Sequence, residues 1–284
     1  MNDTNMIEWW QAVVLGIIEG LTEFLPVSST GHLTIAEKLM GIPIDDIGVI
    51  AFTAVIQIGA ILAALVYFWS DVWRVALSWF KGLADKTQRK NSDYTLGWAI
   101  IVGSIPIAVI GLVFKHEIET MLRSMWYVAI MLIAWSAVMW FADQYAKQTK
   151  KETDIKPNDA LKVGLMQCIA LIPGVSRSGA TIAGGLLLGF DRMTATRLSF
   201  FLGIPALLAA GGLQAVTQSV HISAGIGWPI TILATIVSFV VGYLAVAWMI
   251  KFISGHDYTG FIVYRVIVGL IIIGLLSTGT ITAV

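Results

Sequence analysis

The sequence predicts an all-α, polytopic membrane protein. Hydrophobic residues make up 57% of its 284 positions and charged residues only 13%, whereas soluble domains carry about 25% charged residues. The mean hydropathy is +0.81, and several uncharged runs approach the roughly 20 residues that a helix needs to cross a bilayer. Eighteen basic residues balance eighteen acidic ones, so no net charge attracts nucleic acid. The composition argues against a soluble enzyme and against a disordered chain.

Two apolar stretches, 7–40 and 160–190, do not fit simple spans. Polar, proline-containing runs interrupt them at EFLPVSSTGH (23–32) and PGVSRSG (173–179). We expect each stretch to form a re-entrant helical hairpin, because non-helical backbone at membrane depth survives only where protein or a wet cavity surrounds it. A pair of kinked spans is the alternative interpretation.

Six other segments are long enough to cross the membrane as single helices. They cover residues 47–69, 95–114, 125–142, 195–217, 226–250 and 259–282. With the two interrupted stretches, they give each half of the chain one hairpin and three spans.

The two interrupted stretches match each other at an offset of 148 residues, as between positions 16 and 164. Because three spans per half is an odd number, the second half must be inserted upside down, which is the inverted-topology repeat known from transporters. We predict a single integral membrane domain over 1–284, with repeat one at 7–142, a cytoplasmic linker at 143–159 and repeat two at 160–282. The matched pairs are Gly16 with Gly164, Glu19 with Gln167, Val27 with Val175, Ser28 with Ser176, Gly31 with Gly179, Gly41 with Gly189, and Phe52 with Phe200.

Lysine and arginine are distributed unequally between the two predicted sides. Because basic residues concentrate in cytoplasmic loops, the linker is expected in the cytoplasm, both termini face outward, and the hairpin tips meet in mid-bilayer. Fourteen residues lie on the linker side: Arg74, Lys81, Lys86, Arg89, Lys90, Lys147, Lys150, Lys151, Lys156, Lys162, Arg192, Arg197, Lys251 and Arg265. Lys38, Lys115 and Arg123 lie opposite, and Arg177 is set aside as buried.

Three ionisable residues fall inside the interrupted stretches. Glu19 and Glu23 are four residues apart and share one helical face, and Arg177 lies at the tip of the second hairpin. An ionisable residue at the bilayer centre costs about 2.5–3.5 kcal/mol on insertion scales, so we predict a functional cluster. The alternative is a structural ion pair between Arg177 and one glutamate, which leaves the other carboxylate unpaired.

Each interruption is followed directly by a predicted helical segment, near Ser29–Met40 in the first stretch and near Ser178–Leu188 in the second. Helix N-termini offer free N–H groups and a positive dipole end, so two of them converging on Arg177 would bind a phosphate group. The residues assigned to phosphate binding are Ser28, Thr30, Ser176, Arg177, Ser178 and Thr181.

Two carboxylates beside this anion site would repel a bound phosphate. A divalent cation, Mg²⁺ or Ca²⁺, held by Glu19 and Glu23 together with phosphate oxygens removes the conflict; without it, one glutamate would be protonated. His32 follows Ser29 by three positions, so both can face one way. Ser29 could then act as nucleophile with His32 as base, or His32 could attack phosphorus itself.

The segments EGLTEFLPVSSTGH (19–32) and PGVSRSGAT (173–181) resemble the two signature motifs of the undecaprenyl-pyrophosphate phosphatases, the bacterial membrane proteins also known as bacitracin-resistance proteins. The resemblance covers essentially the whole chain in length, span order and motif separation. It implies removal of one phosphate from undecaprenyl pyrophosphate, which regenerates the carrier lipid for peptidoglycan and other cell-wall polymers. It also implies a divalent-metal requirement and a site open to the outer, periplasmic face of the inner (cytoplasmic) membrane.

The positions of both family motifs are matched without departure. They are Glu19 and Glu23 as the acidic pair, Ser29 and His32 as candidate nucleophile and base, and Ser176, Arg177 and Thr181 as phosphate-binding residues. The resemblance implies the lipid substrate and membrane lipids as partners, and the sequence is compatible with a homodimer.

A transporter or flippase of polyprenyl phosphate lipids is the alternative function, because this repeat is best known from transporters. The Ser29–His32 pair favours an enzyme, since transport needs no nucleophile and base. Direct attack by metal-bound water, with Ser29 only positioning it, stays open.

Overall fold

The computed structural model describes residues 6–114 and 124–283 of the chain. Within these ranges it contains twelve α-helices, three short 3-10 helices at 86–90, 152–154 and 168–171, and no β-strand beyond an isolated bridge between Lys150 and Phe190. The α-helices are α1 (Trp9–Thr22), α2 (Ser29–Leu39), α3 (Ile47–Tyr67), α4 (Trp69–Ala84), α5 (Ser92–Val113), α6 (Met125–Tyr145), α7 (Pro157–Gln167), α8 (Arg177–Leu187), α9 (Arg192–Thr217), α10 (Ser219–Gly225), α11 (Trp228–Ile253) and α12 (Thr259–Ser277).

Six helices are long and apolar enough to cross a membrane: α3, α5, α6, α9, α11 and α12. They coincide with the six predicted spans, with small differences at their ends. The prediction of an all-helical, multi-pass membrane protein is therefore confirmed for the part of the chain described. Two of the basic residues predicted opposite the linker, Lys115 and Arg123, lie outside the described ranges.

Both interrupted stretches are broken at the predicted polar runs. Residues 23–28 separate α1 from α2, and residues 172–176 follow the 3-10 turn after α7 and precede α8. Each break ends in a serine with a positive φ, 75° at Ser28 and 77° at Ser176, which is uncommon for a residue other than glycine. Each serine hydroxyl caps the next helix by accepting from the backbone N–H three residues on, that of Gly31 or Gly179. Such a cap offsets part of the backbone strain.

The two short helices α1 and α7 pack against spans from the opposite half of the chain: α1 lies on α11 and α7 on α5. Glycine permits this contact in both places. A Cβ atom at Gly16 would lie 2.6 Å from the carbonyl oxygen of Ala234, and one at Gly164 would collide with that of Gly103. Close backbone approach through small residues is typical of helix packing in membranes. Phe24 of the first break and Val175 of the second share one buried apolar cluster with side chains of α3 and α9.

Helix α4 lies in what the sequence suggested was a connecting loop after the first span. Its exposed apolar side chains form one stripe at helical spacing: Trp69, Trp73, Leu77, Phe80 and Leu83. The opposite side carries charged residues, and the helix is not among the candidate spans. A search for apolar runs of about 20 residues misses such a helix, because its pattern is amphipathic and not uniformly apolar.

The linker is held to the ends of α4, α5 and α9 by an ionic cluster. Arg197 pairs with Asp71 at 3.0 Å and with Glu152 of the linker at 2.5 Å, while Arg74 contacts Asp71 and Asp93. Burial alone would raise the pKa of Asp71, but the hydrogen bonds and charges of Arg74 and Arg197 outweigh it and lower that pKa. This end of the bundle is therefore closed by charged side chains that neutralise one another.

The expectation that Arg265 flanks the end of a span is wrong. Arg265 is the seventh residue of α12 and is fully buried. It tolerates this position because backbone carbonyls and a serine hydroxyl from three other segments surround its guanidinium. The number of basic residues on the linker side falls from fourteen to thirteen, so the bias itself is kept.

Candidate active site

The candidate site lies where the two breaks meet. Ser178, the second residue of α8, donates its hydroxyl hydrogen to the carbonyl of Leu25 in the first break at 2.9 Å. Beside this contact, Arg177 reaches the carboxylate of Glu23, with Nη2 at 3.2 Å and Nε at 3.3 Å from Oε1. The structure thus brings together the acidic residues of one half and the guanidinium of the other.

The two carboxylate oxygens of Glu23 accept hydrogen bonds from different partners. It follows α1 directly and is 5% exposed. Its Oε1 accepts from Arg177, and its Oε2 accepts the hydroxyl hydrogen of Ser29 at 2.6 Å. A short hydrogen bond to a carboxylate is the arrangement in which a serine can pass its proton to a base.

Glu19 lies one helical turn earlier and is fully buried. Neither of its carboxylate oxygens has a hydrogen-bond donor among the described residues, and its carboxyl group lies beside that of Glu23. A buried, unpaired carboxylate is costly, so this position requires a proton or a cation. The ion pair of Arg177 therefore accounts for one glutamate and leaves its neighbour unpaired, as the structural alternative stated.

The residues present fit part of a divalent-cation site. Glu19 and Glu23 offer hard oxygen ligands on adjacent turns, and Mg²⁺ is commonly bound by one or two carboxylates together with water and phosphate oxygens. Over residues 6–114 and 124–283, no group of three His, Cys, Asp or Glu side chains forms a complete metal site. The protein could supply two ligands, and a diphosphate and water would have to supply the rest.

His32 does not contact Ser29. Its Nδ1 donates to the carbonyl of Ser28 at 2.8 Å, and its Nε2 lies 2.7 Å from the hydroxyl oxygen of Tyr264 on α12, against whose ring it also stacks. Since Nδ1 carries the proton, neutral His32 accepts from Tyr264 through Nε2. The proposed pairing of Ser29 with His32 is absent here, because the backbone of the first break turns Ser29 toward Glu23.

Contacts with α9 and with the first break hold the side chain of Arg177 in place. Its Nη1 donates to the carbonyl of Ser199 at 3.0 Å, and the guanidinium lies over the ring of Phe24, 5.7 Å from its centroid. The hydroxyl of Ser199 accepts from Thr181 at 2.7 Å. Neither Ser199 nor Tyr264 was predicted as a site residue; each stands inside an ordinary apolar span, and nothing in the spacing singles it out.

The predicted phosphate-binding hydroxyls have different surroundings. Ser28 and Ser176 cap helices, Ser178 bonds to Leu25 and Thr181 is fully buried. Thr30 alone among the five is exposed. It lines a cavity of about 330 Å³ formed by α2, α3, α6 and residues 170–173, whose polar lining also includes Thr34, Glu37, Thr53 and Gln57. The buried hydroxyls shape the two breaks, while Thr30 borders open space next to Ser29.

Comparison with known proteins gives consistent matches over nearly the whole chain. The model of a family described as bacitracin resistance protein BacA matches residues 12–271. A protein named undecaprenyl-diphosphatase from Cutibacterium acnes is 56% identical over 284 residues, covering 98% of this chain and 100% of that protein. Undecaprenyl-diphosphatase 3 from Frankia casuarinae is 55% identical over 273 residues, covering 96% and 98%. An undecaprenyl-diphosphatase from a Mycobacterium species is 45% identical over 280 residues, covering 98% and 100%.

Proposed function

This chain belongs to the bacitracin resistance protein BacA family, and we propose that it is an undecaprenyl-diphosphatase. It hydrolyses undecaprenyl pyrophosphate to undecaprenyl phosphate and inorganic phosphate, and so returns the carrier lipid to cell-wall synthesis. The observation that carries this function is the continuous contact from Arg177 through Glu23 to Ser29, formed across the two breaks beside the unpaired Glu19.

Ser29 is the proposed nucleophile and Glu23 its proton acceptor. As the serine oxygen forms a bond to the terminal phosphorus, its proton passes to the carboxylate oxygen that it already contacts. The bond from that phosphorus to the bridging oxygen breaks, and the bridging oxygen leaves with undecaprenyl phosphate. Water then hydrolyses the phosphoserine and releases inorganic phosphate.

Arg177 neutralises the charge that builds on the transferred phosphoryl group. Its donors point to Glu23 and Ser199, and a bound phosphate would share them. The N-terminal N–H groups of α2 and α8 add positive potential from the two sides. Phosphoryl transfer depends mainly on such positioning and electrostatic stabilisation.

A divalent cation, Mg²⁺ or Ca²⁺, is the proposed cofactor. When bound, it would neutralise charge on the diphosphate and on the leaving lipid phosphate. The residues that would hold it are Glu19 and Glu23, and the support is the fully buried carboxylate of Glu19, which no donor of the described residues reaches.

The membrane arrangement is part of the proposal. We infer an inner-membrane protein with the linker in the cytoplasm and the site open to the periplasm, since thirteen basic residues fall on the predicted linker side and such residues concentrate in cytoplasmic loops. Two re-entrant hairpins in inverted repeats over 7–142 and 160–282 are supported by α2 and α8, which have equal length and start 148 residues apart, at 29 and 177. The capping serines with positive φ occupy the same offset.

The repeat also agrees with a lipid transporter, so the test must separate catalysis from movement of the lipid. The purified wild-type protein in detergent is expected to release inorganic phosphate from undecaprenyl pyrophosphate with Mg²⁺ and not with EDTA. Glu23→Gln should lower turnover about 1,000-fold, whereas the surface variant Glu8→Gln should match wild type. If the folded wild-type protein released no phosphate but redistributed the lipid in vesicles, the enzyme hypothesis would be rejected in favour of the transporter.

A further inference from the structure

Arg265 is the largest fully buried side chain in the described part of the chain. It stands in the middle of an apolar segment of α12, and its neighbour Tyr264 contacts His32 of the candidate site. The proposed reaction does not use this arginine. A fully buried cation in a membrane helix is costly, so the position of Arg265 needs a structural or functional explanation.

The guanidinium of Arg265 joins the two breaks. Its Nη1 donates to the carbonyl of Pro26 in the first break at 3.1 Å, and its Nη2 donates to the carbonyl of Gly174 in the second at 2.9 Å. Two further bonds, from Nε to the hydroxyl of Ser136 at 3.1 Å and from Nη2 to the carbonyl of Met131 at 3.4 Å, tie it to α6. A single side chain thus supplies donors to non-helical backbone from both halves.

These bonds satisfy two backbone carbonyls that accept from no backbone N–H group in the described part of the chain. Pro26 and Gly174 lie where regular helical hydrogen bonding stops, and an unpaired carbonyl in a bilayer costs several kcal/mol. Gly174 itself has φ +95°, and a Cβ atom there would collide with the backbone of Val128. Glycine therefore allows the second break to pack against α6 in this conformation, with its carbonyl turned to Arg265.

No carboxylate of residues 6–114 or 124–283 forms a salt bridge with Arg265. All four acceptors that it meets among the described residues are neutral oxygens. Arg177, by contrast, is paired with Glu23. Near the junction of the breaks, Arg265 is therefore a source of positive potential that no carboxylate among its contacts cancels, next to a site proposed to take a diphosphate.

We propose that Arg265 is a positioning residue for the reaction, which clamps the two breaks so that Glu23 and Ser29 of one face Arg177 of the other. This inference rests on the proposed function. Arg265 is fully buried and its donors hold oxygens of both breaks and of α6, so the proposal assigns it no contact with the substrate. Its loss should lower kcat much more than it changes KM, since misplacement of reacting groups by about 1 Å can cost about 100-fold in rate.

The test uses Arg265→Gln and Arg265→Lys in the full-length protein, with phosphate release and hydrogen exchange of peptides covering 23–28 and 172–176. Arg265→Gln should lower kcat about 100-fold with KM within about threefold, and Arg265→Lys should recover about tenfold of that loss. Exchange should accelerate in both breaks in Arg265→Gln. Wild-type kcat, or unchanged exchange in either break, would overturn the clamp.

Two further variants distinguish loss of the clamp from a general folding defect. Ser136→Ala removes the hydroxyl that accepts from Nε of Arg265 and donates to the carbonyl of Leu132 within α6. It should lower kcat about tenfold with faster exchange in both breaks; wild-type values of both would contradict the proposal. Tyr258→Phe, at the start of the same helix, removes the contact with Thr196 and should leave kcat and both breaks unchanged. Exchange is read without substrate, so it judges the clamp even if the wild-type protein releases no phosphate.

Discussion

The hydroxyl of Ser29 donates to Oε2 of Glu23 at 2.6 Å, while Arg177 of the other half of the chain holds Oε1 of the same carboxylate. This relationship joins the proposed nucleophile, the proposed base and the proposed phosphate-binding cation in one short path. It forms only because two interrupted helices approach each other within a bundle of membrane spans. The chemistry therefore depends on contacts between residues 154 positions apart in the chain.

Removing the charge of Glu19 should abolish the effect of a divalent cation on stability. Cation binding to the native state raises its stability by about 2.7 kcal/mol when the cation is at 100 times its Kd. Differential scanning fluorimetry should show that Mg²⁺ raises the Tm of the wild-type protein and not that of Glu19→Gln. KCl at equal ionic strength serves as the control. An equal Mg²⁺ response in both proteins would contradict a cation site at Glu19.

Arg177→Ala should destabilise the protein because it leaves the buried carboxylate of Glu23 without its cation, a change that typically costs about 3–5 kcal/mol. Adding Glu23→Gln in the double variant should restore part of the lost Tm, since a neutral amide needs no counter-charge. Phosphate release should stay low in both. If the double variant melts at the same temperature as Arg177→Ala, the ion pair is not what Arg177 contributes to the fold.

Gly164→Ala should destabilise the bundle, because the added methyl group would collide with the carbonyl of Gly103 where α7 crosses α5. Forcing extra atoms into a packed contact costs about 1–3 kcal/mol. Gly212→Ala in α9 is the matched control, since a Cβ atom there meets nothing within 4 Å, and alanine favours the helix by about 1 kcal/mol. Thermal melting should therefore lower the Tm for the first variant only, and a neutral Gly164→Ala would disprove the close crossing.

The sequence predicted the six spans and both breaks because apolar length and polar interruption are local properties. It could not predict the partner of Ser29. Ser29 and His32 do lie three residues apart in α2, but Glu23 of the first break binds the Ser29 hydroxyl and Tyr264 of α12 binds His32. Arg265 was misplaced for a related reason. One arginine near the end of an apolar run is typical of a membrane boundary, and only the packed bundle shows that carbonyls of both breaks surround it.

The most direct measurement is the turnover of undecaprenyl pyrophosphate by Ser29→Ala. Ser28, and not Ser29, caps α2, so this variant keeps the helix cap and should stay folded, with a Tm lowered only by the lost hydrogen bond to Glu23, which costs about 1–3 kcal/mol. Its kcat should fall about 1,000-fold or more, because the oxygen that attacks phosphorus is missing. Ser238→Ala, which alters a buried serine without a partner among the described residues, should keep wild-type kcat. Ser29→Ala with more than about a tenth of wild-type kcat would contradict a serine nucleophile and favour direct attack by water.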